Sequence, residues 1–156
     1  MNSEQKKEFA LRISQANNVE MIIIAYEMVS AYIEDALAVG EDFAKYEANT
    51  ELAGKCVDEL MANLHYEYEP AVVLKNLYLY MKTRIRDARY NRDYEALEEV
   101  NTYIKQLKAA YESVKEQDTS GPIMKNTQTV VTGITYGKNQ ILDELSSNVD
   151  NRGFLV

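Results

Sequence analysis

The chain has 156 residues, enough for one domain with a sizeable core and too few for two ordinary ones. Six glycines and two prolines favour an all-helical protein, and a single cysteine allows no internal disulfide, which suits a reducing compartment. With 25 acidic against 17 basic residues the formal charge is −8, which argues against nonspecific nucleic-acid binding, since that depends on Lys and Arg neutralising phosphates.

In chain order, residues 1–16 read as a short polar N-terminal lead with one aromatic, Phe9. They contain no apolar signal region, and no later run approaches membrane-spanning length, which predicts a cytoplasmic protein without membrane insertion. Asn17 or Asn18 can cap a first long helix that runs to about Lys45. Ile22, Tyr26, Val29, Ile33 and Ala36 form one stripe on it at helical spacing. Met21, Ile24, Met28, Tyr32 and Val39 form a second beside the first, so apolar groups cover more than half the circumference. A helix touching two neighbours explains this, and so does an exposed groove.

The pair Asn49-Thr50 can cap a second helix, with Leu52, Cys56, Leu60 and Leu64 at intervals of four. Pro70 suits the first turn of a third, where its missing N–H costs nothing. Leu74, Leu77, Met81, Ile85 and Ala88 form its inner stripe, while Val72, Leu79 and Tyr90 project from the opposite side. Scattered exposed apolar residues are ordinary, but an aligned row suggests a contact surface, for a partner or for a second copy. Asp93 can cap the fourth helix, whose stripe is Leu97, Val100, Ile104, Leu107, Tyr111 and Val114. That helix fades by Gln117 and is stopped by Thr119-Ser120-Gly121-Pro122. The predicted fold is all-α: an antiparallel up-and-down four-helix bundle over 17–118, followed by a partly irregular C-terminal extension over 119–156.

Catalytic chemistry has little to use. His65 is the only histidine; with Glu67 and Glu69 it reads as part of a surface loop, without the E-x-x-H spacing of a di-iron bundle. Cys56 lies on an apolar stripe and reads as a small core residue. The run Gly133 to Asn139 fails as a phosphate-binding loop, because its glycine spacing is one short and Asn139 stands where Ser or Thr is needed. The cluster Lys82, Arg84, Arg86, Arg89 and Arg92 is interleaved with Asp87, Asp93 and Glu95, as on a solvated mixed-charge face. No cofactor, metal or catalytic residue is expected.

The third and fourth helices carry a recognisable pattern: Asn76-Leu77-Tyr78-Leu79-Tyr80-Met81, then Arg84-Ile85 and Ala88, then Asp93, Ala96-Leu97, Glu99-Val100, and Leu107 with Ala110-Tyr111. This closely resembles the signature of the flagellar export chaperone family FliS. A second, partial match runs from Ala16 to Glu27; it keeps Tyr26 and Glu27, but Asn18 replaces the family's Pro and Met28 its Gly. The resemblance spans roughly Phe9 to Glu116, and the family pattern gives out beyond Gln117.

The resemblance implies a non-enzymatic cytoplasmic chaperone that binds the disordered C-terminal segment of flagellin, prevents premature polymerisation and assists type III export. Export-apparatus components or a co-chaperone are further partners it suggests, with the chaperone a monomer or weak homodimer. The expected client-binding residues are Met21, Ile24, Tyr26 and Met28 on the first long helix and Val72, Leu79 and Tyr90 on the third. Phe9, and from the extension Ile134 and Tyr136, are expected to cap the groove when no client is bound. The competing reading is a non-catalytic helical-bundle adaptor or regulatory homodimer.

Overall fold

The computed structural model describes residues 1–66 and 69–117, and every element in them is an α-helix. There are five: α1 (Ser3–Gln15), α2 (Asn18–Ala38), α3 (Phe43–Ala62), α4 (Glu69–Asn91) and α5 (Tyr94–Lys115). The four long helices form a ring of contacts, α2 with α3, α3 with α4, α4 with α5 and α5 with α2, and α1 packs on α2. Neighbours run antiparallel. Along α2, Glu20, Glu27 and Glu34 pair with Lys115, Lys108 and Lys105, so one number rises as the other falls. On the α3–α4 side Asp58 meets Lys82, and Glu51 meets Arg89.

The N-terminal lead is itself a helix, which the sequence reading did not foresee. Asn2 and Gln5 form a capping box, each side chain bonding the other's backbone N–H at 2.8–2.9 Å, so that two otherwise orphaned donors are satisfied. The same device recurs at α2: Asn17, not Asn18, accepts from the Glu20 N–H while the Glu20 carboxylate accepts from the Asn17 N–H.

The first long helix is shorter than expected. It ends at Ala38, seven residues before Lys45, and Gly40 turns the chain in the left-handed region at φ 59°. Asp42 then caps α3 by accepting from the Lys45 N–H at 3.1 Å. Asn49 and Thr50 do not start a helix; they lie inside α3. Thr50 is buried, with its hydroxyl donating to the Tyr46 and Glu47 carbonyls on the preceding turn. Pro70 does sit in the first turn of α4, and Asp93 does cap α5, accepting from the Ala96 N–H at 3.1 Å.

The core is drawn from all four long helices. Tyr26, Val29 and Ile33 of α2, Ala53 and Val57 of α3, Met81 and Ala88 of α4, and Leu97, Val100 and Ile104 of α5 are essentially inaccessible to water. Leu74, Leu77, Leu107 and Tyr111 continue the expected stripes at the partly buried margin. Val114 departs from its stripe: it is exposed, one residue before α5 ends.

Two arrangements tie the ring's edges. The Tyr80 hydroxyl donates to Glu99 at 2.6 Å and Arg84 Nε donates to the other Glu99 oxygen at 2.8 Å, joining α4 to α5. The Tyr80 and Arg84 bonds hold the Glu99 carboxyl below its usual range, and accepting from Tyr80 raises that phenol's pKa. At the turn end, Arg92 adopts φ 52° and donates to the Gly40 carbonyl at 3.2 Å. Its guanidinium lies 3.7 Å from the Phe43 ring centre and 4.5 Å from that of Tyr46, so one side chain clasps the α2–α3 and α4–α5 turns together.

Asp93→Ala should remove the α5 cap and lower the unfolding free energy by about 1 kcal/mol. Leu97→Ala, in the fully packed centre, should cost about 2–5 kcal/mol. Urea titration should read both as earlier midpoints at an unchanged slope.

Candidate functional site

The seven expected client-binding residues fall into two groups that the fold treats differently. On α4, Val72, Leu79 and Tyr90 are exposed at 52%, 45% and 71%, on the side away from the core. Steps of seven, four, three and four residues (Val72, Leu79, Thr83, Arg86, Tyr90) keep this row on one face of the helix. Val73 and Tyr66 add further exposed apolar surface toward the start of α4.

Leu79 and Tyr90 also line a groove of ≈ 490 Å³ between α3 and α4. Its α3 wall includes Gly54, where a methyl group would sit 3.7 Å from Lys82 Nζ and 3.9 Å from the Ile85 side chain. The small residue keeps the wall low. Charged groups line the rest: Lys82 is held by Asp58 at 2.6 Å, and Arg89 by Glu51 at 3.2 Å and Glu47 at 3.7 Å. The basic cluster on α4 is thus a mixed-charge face, with its acids supplied mainly by α3 and α5.

The α2 group is not an open strip. Met21, Ile24, Tyr26 and Met28 are all buried, Tyr26 completely. The two apolar stripes of α2 are satisfied in different ways. Tyr26 points into the ring, where its hydroxyl lies 2.5 Å from that of Tyr78, and its ring packs against Tyr111 at 5.6 Å. Burial pushes the phenols of Tyr26 and Tyr78 well above the ordinary tyrosine range. The second stripe faces α1. Asp35 pairs with the Met1 ammonium and Glu27 with Arg12 at 2.5 Å, so α1 runs antiparallel along α2. Ile24, Met28 and Asp35 follow one another at steps of four and seven, which places the first two on the face that α1 covers.

Phe9 and Ala10 pack partly buried against the core and Ile13 is fully buried, so the aromatic expected as a cap does lie over apolar surface. The sequence reads as a polar lead because nine of the thirteen residues of α1 are polar or charged, which masks its one narrow apolar side. Ile134 and Tyr136 lie outside the described residues, as does the Gly133–Asn139 run.

His65 is exposed, Cys56 is partly buried against the core, and no group of three or more His, Cys, Asp or Glu among the described residues could hold a metal ion. No helix among them is long and apolar enough to cross a membrane. What the surface offers is apolar contact area edged with charge.

An aligned apolar row on a helical bundle has the character of a contact surface. The family model for the flagellar protein FliS matches residues 1–118, and the chain belongs to that family, whose members are flagellar export chaperones. The match includes α1 as well as the four longer helices and ends where α5 does. No curated protein matches the chain.

The buried phenols give a pH test. Folding keeps Tyr26 and Tyr78 protonated, so their contribution is complete below the unfolded tyrosine pKa of about 10 and is lost as pH rises beyond it. Thermal midpoints should therefore fall above about pH 10, and Tyr26→Phe should flatten that fall. The same slope in the variant and the parent would assign the alkaline loss elsewhere.

Proposed function

We propose that this protein is a non-catalytic cytoplasmic export chaperone. It binds the disordered C-terminal segment of flagellin, keeps it from polymerising early and assists its passage to the type III export apparatus. Membership of the FliS family supports the general role. The row Val72, Leu79 and Tyr90, aligned and exposed beside the α3–α4 groove, is the observation that carries the binding surface. A segment that becomes helical on docking can lay its apolar face along such a row. Ordering costs that segment several kcal/mol, which keeps a broad contact releasable.

The α2 residues enter this reading through α1. That helix buries only Lys6 and Ile13, whereas α2 buries ten residues. One fully buried Ile contributes about 1.5–3 kcal/mol, and partly exposed ion pairs such as Arg12–Glu27 about 1 kcal/mol each. The cover is therefore held far more weakly than the ring it covers. In our reading the client displaces α1, with Phe9 at its centre, and takes over the face that includes Met21, Ile24 and Met28. Tyr26 faces inward to Tyr78 and is assigned to the fold.

The up-and-down bundle of α2 to α5 is then the rigid frame, and α1 its exchangeable cover. The α4 row suits self-association as well, which keeps a regulatory homodimer as the competing reading.

Coexpression with the flagellin encoded nearest to this chain, followed by size-exclusion chromatography, should yield a stable complex. A peak of twice the monomer mass that excludes flagellin would instead establish the homodimer. In calorimetry with the flagellin C-terminal segment, Leu79→Asp or Tyr90→Glu should weaken binding at least tenfold, about 1.4 kcal/mol or more. Both variants should keep the parent's unfolding midpoint, because neither side chain reaches the core. Unchanged affinity would remove these two positions from the surface.

A further inference from the structure

The α3–α4 groove has a charge character at odds with the rest of the chain. Four basic residues, Lys55, Lys82, Arg86 and Arg89, and two acidic ones, Glu51 and Asp58, line it, and Glu47 and Asp87 reach Arg89 and Arg86 from its rim, in a protein whose formal charge is −8. Its apolar elements are Leu79, Ile85 and Tyr90. Arg86, at the outer edge, makes a loose pair with its neighbour Asp87 at 3.8 Å and is 64% exposed. The groove therefore suits a short segment with a few large apolar groups and an acidic side chain placed to reach Arg86.

The chain carries such a segment. Between 139 and 150 there is no Lys or Arg, while Asp143, Glu144 and Asp150 are acidic. Ile141, Leu142 and Leu145 stand at the i, i+1 and i+4 positions that fall on one side of a helical turn, with Glu144 on its flank. We propose that segment 139–146 of the protein's own C-terminal extension docks in the α3–α4 groove, with Leu142 and Leu145 against Leu79 and Tyr90 and Glu144 beside Arg86.

Chain length permits it. Twenty-four residue steps separate Gln117 from Ile141 and can span up to about 80 Å, whereas α4 is only about 35 Å long. Tethering favours it over a free competitor. A segment on the same chain acts at an effective concentration on the order of mM, enough to fill a shallow groove that an untethered peptide would occupy weakly. The consequence for regulation rests on our reading of Leu79 and Tyr90 as client contacts: the docked segment then competes with flagellin, and binding of one releases the other. The docking itself does not depend on that reading.

The test uses the full chain with Cys56→Ser, so that no native thiol interferes. Leu79→Cys paired with Leu145→Cys should form an intramolecular disulfide at least tenfold faster than the control pair, Leu11→Cys with Leu145→Cys, on the exposed side of α1. Arg86→Glu should slow trapping a few-fold, and Arg86→Glu combined with Glu144→Arg should restore it. Equal rates for the two cysteine pairs, or disulfides formed only between chains, would overturn the docking. Separately, Leu142→Asp with Leu145→Asp in the full chain should tighten binding of the flagellin C-terminal segment several-fold, and unchanged affinity would overturn the competition. Rapid trapping in a protein that binds no flagellin would leave the docking in place and defeat the chaperone reading instead.

Discussion

Helix α2 is apolar around more than half its circumference, and the rest of the molecule is organised by the need to cover it. A helix with a single stripe is satisfied by one seam, but α2 buries ten of its 21 residues and must touch more than one neighbour. The ring supplies α3 on one flank and α5 on the other, with Tyr78 of α4 reaching across to Tyr26. What remains is the stripe through Ile24 and Met28, and α1 closes it. Removing α1 would expose a row of large apolar groups to water, so the cover is needed whenever no other chain takes its place.

Two buried hydroxyl pairings lock this packing. The two phenols meet each other across the core, and the Tyr46 hydroxyl donates to the Ala88 carbonyl at 2.7 Å. An unpaired buried hydroxyl would cost about 1–3 kcal/mol, so these bonds also fix how the helices sit against each other. At the margins the work passes to charge. Several residues that carry the family resemblance, Tyr80, Arg84, Asp93 and Glu99, form the seam between α4 and α5. Their part in this molecule is to hold two helices in register. Leu79, from the same signature, is exposed and lines the groove on the α3 side of α4.

The molecule thus combines a tightly interlocked ring with a lightly attached cover and an open row on the far side. Local stability follows buried area, so opening is cheapest at α1, which contributes one fully buried large apolar side chain. That gradient suits a protein whose task is to hold and release another chain.

The sequence by itself determined the all-helical class, the inner stripe of α4 and that of α5 up to Tyr111, the Asp93 cap and the outward row of Val72, Leu79 and Tyr90, and it narrowed the α2 cap to Asn17 or Asn18. All of these are local: a 3.6-residue period and a capping side chain act within a few turns. Tertiary structure decided the rest. The sequence pattern could not say whether the second stripe of α2 was groove or seam, because a buried apolar residue and an exposed one look the same until a neighbour is placed. The covering α1 was hidden because nine of its thirteen residues are polar or charged, as in an uncovered lead. The start of α3 was misplaced because Asn49-Thr50 and Asp42 are both chemically able to cap, and only the turn at Gly40, clasped by the distant Arg92, selects Asp42.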